Sequence, residues 1–183
     1  MKKINTIMAM VIAVIFITGV SSCNQKIELF VDINEEEVCL KDYATQLPNG
    51  YVDTFLFDMA KVKSEFSAKS ITYAENRIND IKVSSFKIKW KSGLEGSLKE
   101  LSGAQVWVKK VEESGLGTQI ADVTIPESNV AELSFNVGGQ SLKPYLAEDK
   151  IVFSVSVYQR YGTGSKAVCF LLTDGKISIE AKK

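Results

Sequence analysis

Ile151-Val152-Phe153-Ser154-Val155-Ser156-Val157-Tyr158 is the stretch whose pattern decides the class of this chain. Ile151, Phe153, Val155 and Val157 fall on one side of an extended backbone, and Ser154, Ser156 and Tyr158 on the other. A period of two predicts a strand with one face in a core and the other toward water.

The same alternation recurs outward from there. Ile27, Leu29, Val31 and Ile33 oppose Glu28, Phe30 and Asp32; Phe86, Ile88 and Trp90 oppose Lys87, Lys89 and Lys91. Ala104, Val106 and Val108 alternate with Gln105, Trp107 and Lys109. Ala121, Val123 and Ile125 alternate with Asp122 and Thr124, and Leu133, Phe135 and Val137 with Ser134 and Asn136. Ile177 and Ile179 close the series, while Val168 to Leu172 is apolar on both faces and predicts a central strand. Turn residues punctuate these runs at Pro48-Asn49-Gly50, Ser92-Gly93, Ser114 to Gly117, Gly138-Gly139, Gly162-Thr163-Gly164 and Asp174-Gly175. Many short strands without long helices between them predict an all-β, antiparallel two-layer β-sandwich of immunoglobulin-like or related topology, with a closed barrel as the alternative. Helical periodicity is brief: Met59, Val62 and Phe66 make one short helical face, and Leu94, Leu98 and Leu101 another turn or two. The link from Val137 to Ile151 is expected to carry the chain between sheets. The stretch from Ala44 to Asp80 is the least regular.

At 183 residues, with 45% apolar and 24% charged residues and three prolines, the chain has the composition of one globular domain. It holds 22 basic and 22 acidic side chains and no histidine, which removes the commonest general base and metal ligand. Arginine is confined to Arg77 and Arg160, so neither the charge nor its kind suits nucleic acid.

The first residues carry an address. Met1-Lys2-Lys3 is followed by an apolar run from Ile7 to Val20, too short to span a bilayer and shaped like a signal peptide. Val20-Ser21-Ser22-Cys23 resembles the lipobox of bacterial lipoproteins. The resemblance implies cleavage after residue 22, lipidation of Cys23, a short tether over 23–26 and a single β-sandwich domain over 27–183. It also implies a lipid anchor in a membrane of the cell envelope. Asn24 in place of aspartate points to the outer membrane, and the lack of an acidic cluster after Cys23 to its periplasmic side, with surface exposure left open. Several acyl chains together make a durable anchor.

Cys39 and Cys169 are the remaining thiols. In an oxidising envelope they are candidates for a disulfide, or Cys169 is a small core residue. Without histidine, a catalytic cysteine lacks its base. Asp32-Ile33-Asn34-Glu35-Glu36-Glu37 spaces oxygen ligands as a calcium loop begins, but it lacks the glycine of that loop and reads as a solvated acidic turn. Asp53, Asp58, Glu112, Glu113, Glu148 and Asp149 offer carboxylates without a spacing that selects a pair. Gly162 to Lys166 is a hairpin loop, because no helix follows Lys166 as a phosphate loop requires.

A candidate ligand face remains. Trp107 shares its side of the strand with Gln105 and Lys109, and Tyr158, Arg160 and Tyr161 are placed to join it; exposed aromatics beside polar groups hold sugars or protein partners. A loop drawn from Ala44 to Asp80 over that face would instead make Trp107 a core residue. The expected function is a lipid-anchored, non-enzymatic envelope protein that binds an envelope protein or glycan, with no metal or cofactor. A structural or assembly subunit of a surface complex or fimbria is the alternative, and a carboxylate-dependent polysaccharide hydrolase a third.

Overall fold

The computed structural model describes residues 26–40, 51–91, 97–160 and 168–182. The expected signal peptide, Cys23, Tyr161 and the turns expected at 48–50, 92–93 and 162–166 lie outside these residues. Among the described residues no helix is long and apolar enough to cross a membrane.

Among the described residues ten strands form two antiparallel sheets packed face to face. The first sheet contains β1 (Lys26–Ile33), β2 (Glu36–Leu40), β4 (Ile78–Trp90), β7 (Glu132–Ser134) and β10 (Val168–Lys182). Its order is β1-β10-β4-β7, with β2 also on β10. The second contains β3 (Tyr51–Asp58), β5 (Leu101–Lys110), β6 (Thr118–Thr124), β8 (Asn136–Val137) and β9 (Lys150–Gln159), in the order β3-β9-β5-β6-β8. The sheets stay separate, so the chain is a sandwich. The core is the sum of the inward alternate positions: Leu29, Val31 and Ile33, then Phe86 and Ile88, then Val106 and Val108, then Ile151, Phe153, Val155 and Val157 are all buried. Phe153 joins the layers, with its ring 6.0 Å from that of Phe86 in the opposite sheet, edge to face.

Several readings change on contact with the fold. Asp174-Gly175 is not a turn, because β10 runs straight through it as a bulge between Thr173 and Lys176. A Cβ on Gly175 would stand 2.7 Å from Phe86 Cε1 and 2.8 Å from Ile33 Cβ, so glycine is required there for close approach. The acidic stretch Asp32 to Glu37 is not a turn either. β1 and β2 lie end to end along one flank of β10, with Ile33 opposite Gly175 and Glu36 opposite Leu172, and Asn34-Glu35 is the break that faces the bulge.

Leu133, Phe135 and Val137 do not make one strand. The chain changes sheets at buried Phe135: Leu133 in β7 pairs with Ile88 of the first sheet, and Val137 in β8 with Ala121 of the second. The link to β9 then touches the first sheet again, where Leu142 N donates to Ile81 O at 2.6 Å. Helix α1 (Ala60–Ala68) buries Val62 and Phe66, as their spacing predicts, and packs beside β1. Of the second helical stretch Leu94 lies outside the described residues, Leu98–Glu100 form a 3-10 turn, and Leu101 opens β5. Tyr51–Asp58, within the stretch read as irregular, is a full strand at the border of the second sheet.

Candidate functional site

The outer face of the second sheet is built by the strand positions that alternate with the core. Register aligns them into rows across β9, β5 and β6. Tyr158, Gly103 and Thr124 form the first row, Ser156, Gln105 and Asp122 the second, and Ser154, Trp107 and Gln119 the third. Strands lie about 4.8 Å apart and rows about 6.7 Å apart, so the distance from Tyr158 to Trp107 along the sheet is about 14 Å.

Trp107 is half-buried on this face, and its indole N–H donates to Ser156 Oγ at 3.1 Å. It is not a core residue. Of the stretch from Ala44 to Asp80 read as its cover, residues 51–80 form β3, α1, a 3-10 turn and the start of β4. The Tyr158 hydroxyl donates to Gln105 Oε1 at 2.7 Å. Gly103, between Tyr158 and Thr124, leaves a gap in the first row, and a depression of about 220 Å³ opens there. Ser102, Gln105, Asp122, Thr124 and Tyr158 line it. Within the third row Ser154 is only 1% exposed, and its Oγ has no hydrogen-bond partner among the described residues. Val52 and Leu56 of β3 extend the face, at 36% and 58% exposure.

Trp107 and Tyr158 thus come together on one surface, while Arg160 does not join them. Its guanidinium donates to Lys99 O, Leu101 O and Ile125 O and pairs with Glu127 at 2.9 Å, tying the end of β9 to the starts and ends of its neighbours. Gln105 and Asp122, which alternation places on the polar side without singling them out, occupy the row between those of the two aromatics. The cross-strand pairing that aligns them was the missing signal.

The remaining carboxylates are spread over the surface in structural contacts. Asp53 accepts from Thr54 N, Asp58 from Ala60 N at the start of α1, and Glu148 pairs with Lys110. Lys87 bridges Glu132 and Asp174, and Lys91 meets Glu37. The lysine stripe of β4 is in this way a charged outer surface of the first sheet.

Cys39 and Cys169 are opposite in register and joined by a disulfide. Glu37 Oε1 lies 3.1 Å from Cys39 Sγ, but a disulfide sulfur has no proton to donate, so this is a contact and not a hydrogen bond. The same loss of thiolates leaves the Glu37, Cys39 and Cys169 cluster without soft ligands for a metal. The bridge joins neighbouring strands of one sheet, whereas the immunoglobulin disulfide spans two.

Fold and surface together define a class: an antiparallel β-sandwich with an exposed aromatic and polar sheet face. No protein-family model matches the chain, and no curated protein is similar to it.

Proposed function

We propose that the protein is a lipid-anchored, non-enzymatic binding module of the bacterial cell envelope, which captures an envelope protein or glycan on the outer face of its second sheet. One observation carries the reading: Trp107 and Tyr158 stand on the same outer face, each fixed by a hydrogen bond and surrounded by polar side chains. Fixing aromatic groups in advance lowers the ordering cost of binding. The lipobox-like Val20-Ser21-Ser22-Cys23 supports a membrane tether, in the outer membrane on its periplasmic side. The Cys39–Cys169 disulfide supports an oxidising compartment.

The test has two arms. Protease digestion of intact cells, with Cys23→Ala as the unanchored control, reports anchoring and side. Binding of the purified lipoprotein to isolated envelope fragments reports capture, and Trp107→Ala is expected to reduce it while the far-ultraviolet circular dichroism stays β-like. Retention of full binding by Trp107→Ala and Tyr158→Ala together would sink the face assignment.

A second reading has its own observation. β3 is the outermost strand of its sheet and carries exposed Val52 and Leu56, the features of a surface that assembles with a neighbouring subunit. Migration in a large complex after mild detergent extraction, lost in Leu56→Ser, would favour the assembly role.

A further inference from the structure

We infer that the depression between Tyr158, Gln105, Asp122 and Thr124 is a saccharide site, held at the end of the sandwich that points away from the bilayer. The inference rests on the binding reading above and names its ligand class.

The lining fixes the chemistry. Because the Tyr158 hydroxyl donates to Gln105 Oε1, that oxygen is occupied, and the amide N–H groups of Gln105 are left to donate outward. Asp122 sits across from Gln105 in register, half-buried, with no hydrogen-bond partner among the described residues. An amide donor beside a carboxylate acceptor matches neighbouring sugar hydroxyls, each of which donates and accepts. Thr124 is exposed at the rim, Tyr158 adds an aromatic wall, and buried Gly103 lies at the base. Trp107 lies two rows further along the same face, where a second sugar ring would reach it.

Other ligand classes fit less well. Among the described residues the lining has no lysine or arginine to meet a phosphate or sulfate. Its single carboxylate is too few for calcium, which takes six to eight oxygens. The hollow is polar and concave, unlike the apolar centre of a protein interface.

Connectivity gives the orientation. Ile27 near the start of β1 pairs with Ala181 near the end of β10, which pairs with Ile78 at the start of β4. Leu142 N bonds Ile81 O, and the Tyr145 hydroxyl donates to Val108 O at 3.3 Å, so the start of β4 and the end of β5 lie toward the same end. The depression is at the other end, at the start of β5 and the ends of β6 and β9. Two residues separate Cys23 from β1, so the lipid holds the first end at the membrane. From Ile151 to Tyr158, β9 alone covers about 23 Å, which sets the depression well clear of the headgroups.

The experiment titrates the detergent-solubilised lipoprotein with hexasaccharides of β-1,4-glucose, β-1,4-N-acetylglucosamine, α-1,4-glucose and α-mannose, read by calorimetry. Binding of at least one is expected. Asp122→Asn, nearly isosteric, and Gln105→Ala should each weaken it roughly tenfold, and Phe30→Ser, exposed on β1 of the other sheet, should leave it unchanged. Failure of every hexasaccharide to bind, or equal binding by Asp122→Asn and Gln105→Ala, overturns the saccharide site. Envelope fragments tested in parallel separate the two ideas. Protease-sensitive binding to fragments without sugar binding leaves the binding module standing with a protein ligand, and loss of both removes the module reading too.

Discussion

Cys39 of β2 and Cys169 of β10 stand directly opposite one another in the antiparallel register, with Cα atoms 4.1 Å apart and a disulfide between them. They are 130 residues apart in sequence, so the bridge closes nearly the whole domain into one loop. Closing so long a loop chiefly restricts the unfolded chain. Reduction, or the Cys39→Ser and Cys169→Ser pair of substitutions, should lower unfolding free energy by about 2–5 kcal/mol. β10 keeps its partners β1 and β4, so a folded β protein should remain under native conditions. Denaturant midpoints with and without reductant check this, and coincident curves would refute it.

Gly175 touches the two sheets' contact from behind. A methyl group there meets Phe86 Cε1 at 2.7 Å and Ile33 Cβ at 2.8 Å, and Phe86 in turn packs on Phe153 and Phe135. Gly175→Ala must move a ring that joins the layers, at a cost of about 1–3 kcal/mol. Gly139→Ala makes the comparison. Its φ is 67° with nothing within 4 Å of the added carbon, so only backbone strain of about 1 kcal/mol applies. Thermal unfolding of the two variants should rank Gly175→Ala as the less stable, and the opposite order would contradict the packing argument.

That glycine also shows where sequence reading reaches its limit. Alternation located the inward residues of β1, β5 and β9 correctly because side-chain period follows from backbone geometry and needs no partner. Asp174-Gly175 was read as a turn because local chemistry is the same for a turn and a bulge; only the pairing of Ile33 with Gly175 and the position of Phe86 separate them. Phe135 likewise fits the alternation of one strand, while its neighbours belong to different sheets. At the candidate site, alternation puts Trp107 and Tyr158 on the polar side of their strands but leaves open whether a loop covers Trp107. The partnership of Gln105 with Asp122 arises from β5–β6 register, which no segment encodes alone.

Lys87 links β7 to the bulge of β10 by reaching both Glu132 at 2.8 Å and Asp174 at 2.9 Å. Its hydrogen bond, and then its charge, hold the Asp174 carboxyl below the ordinary value near 3.9. Lys26 acts on Glu180 in the same way. A depressed carboxyl stabilises the fold fully above its unfolded value, and the contribution disappears as pH falls through the folded value. Stability should therefore decline from about pH 5 downward, and Lys87→Met should flatten that acid limb. Asp174 is exposed and Lys87 only half-buried, so added salt should shrink the difference. Denaturant midpoints between pH 6 and pH 2 measure it, and parallel wild-type and variant profiles would rule the pairing out as a source.

Arg160 follows β9, close to the candidate ligand face in sequence, yet its fork is turned into the protein. It donates to Ile125 O at 2.6 Å, Leu101 O at 3.2 Å and Lys99 O at 3.0 Å, and pairs with Glu127. Ile125 follows β6 and Leu101 opens β5, so one side chain gathers three neighbouring strands at the end that carries the depression. Lysine keeps the charge but loses the planar fork, and carbonyls that the fork satisfied lose their donors. Arg160→Lys should cost about 1–3 kcal/mol of stability. At a temperature where the variant is fully folded, its affinity for envelope fragments should equal that of the wild type, since the guanidinium faces carbonyls and not the open hollow. A variant of unchanged stability with weakened capture would place Arg160 among the ligand-binding residues and overturn its role as a clamp.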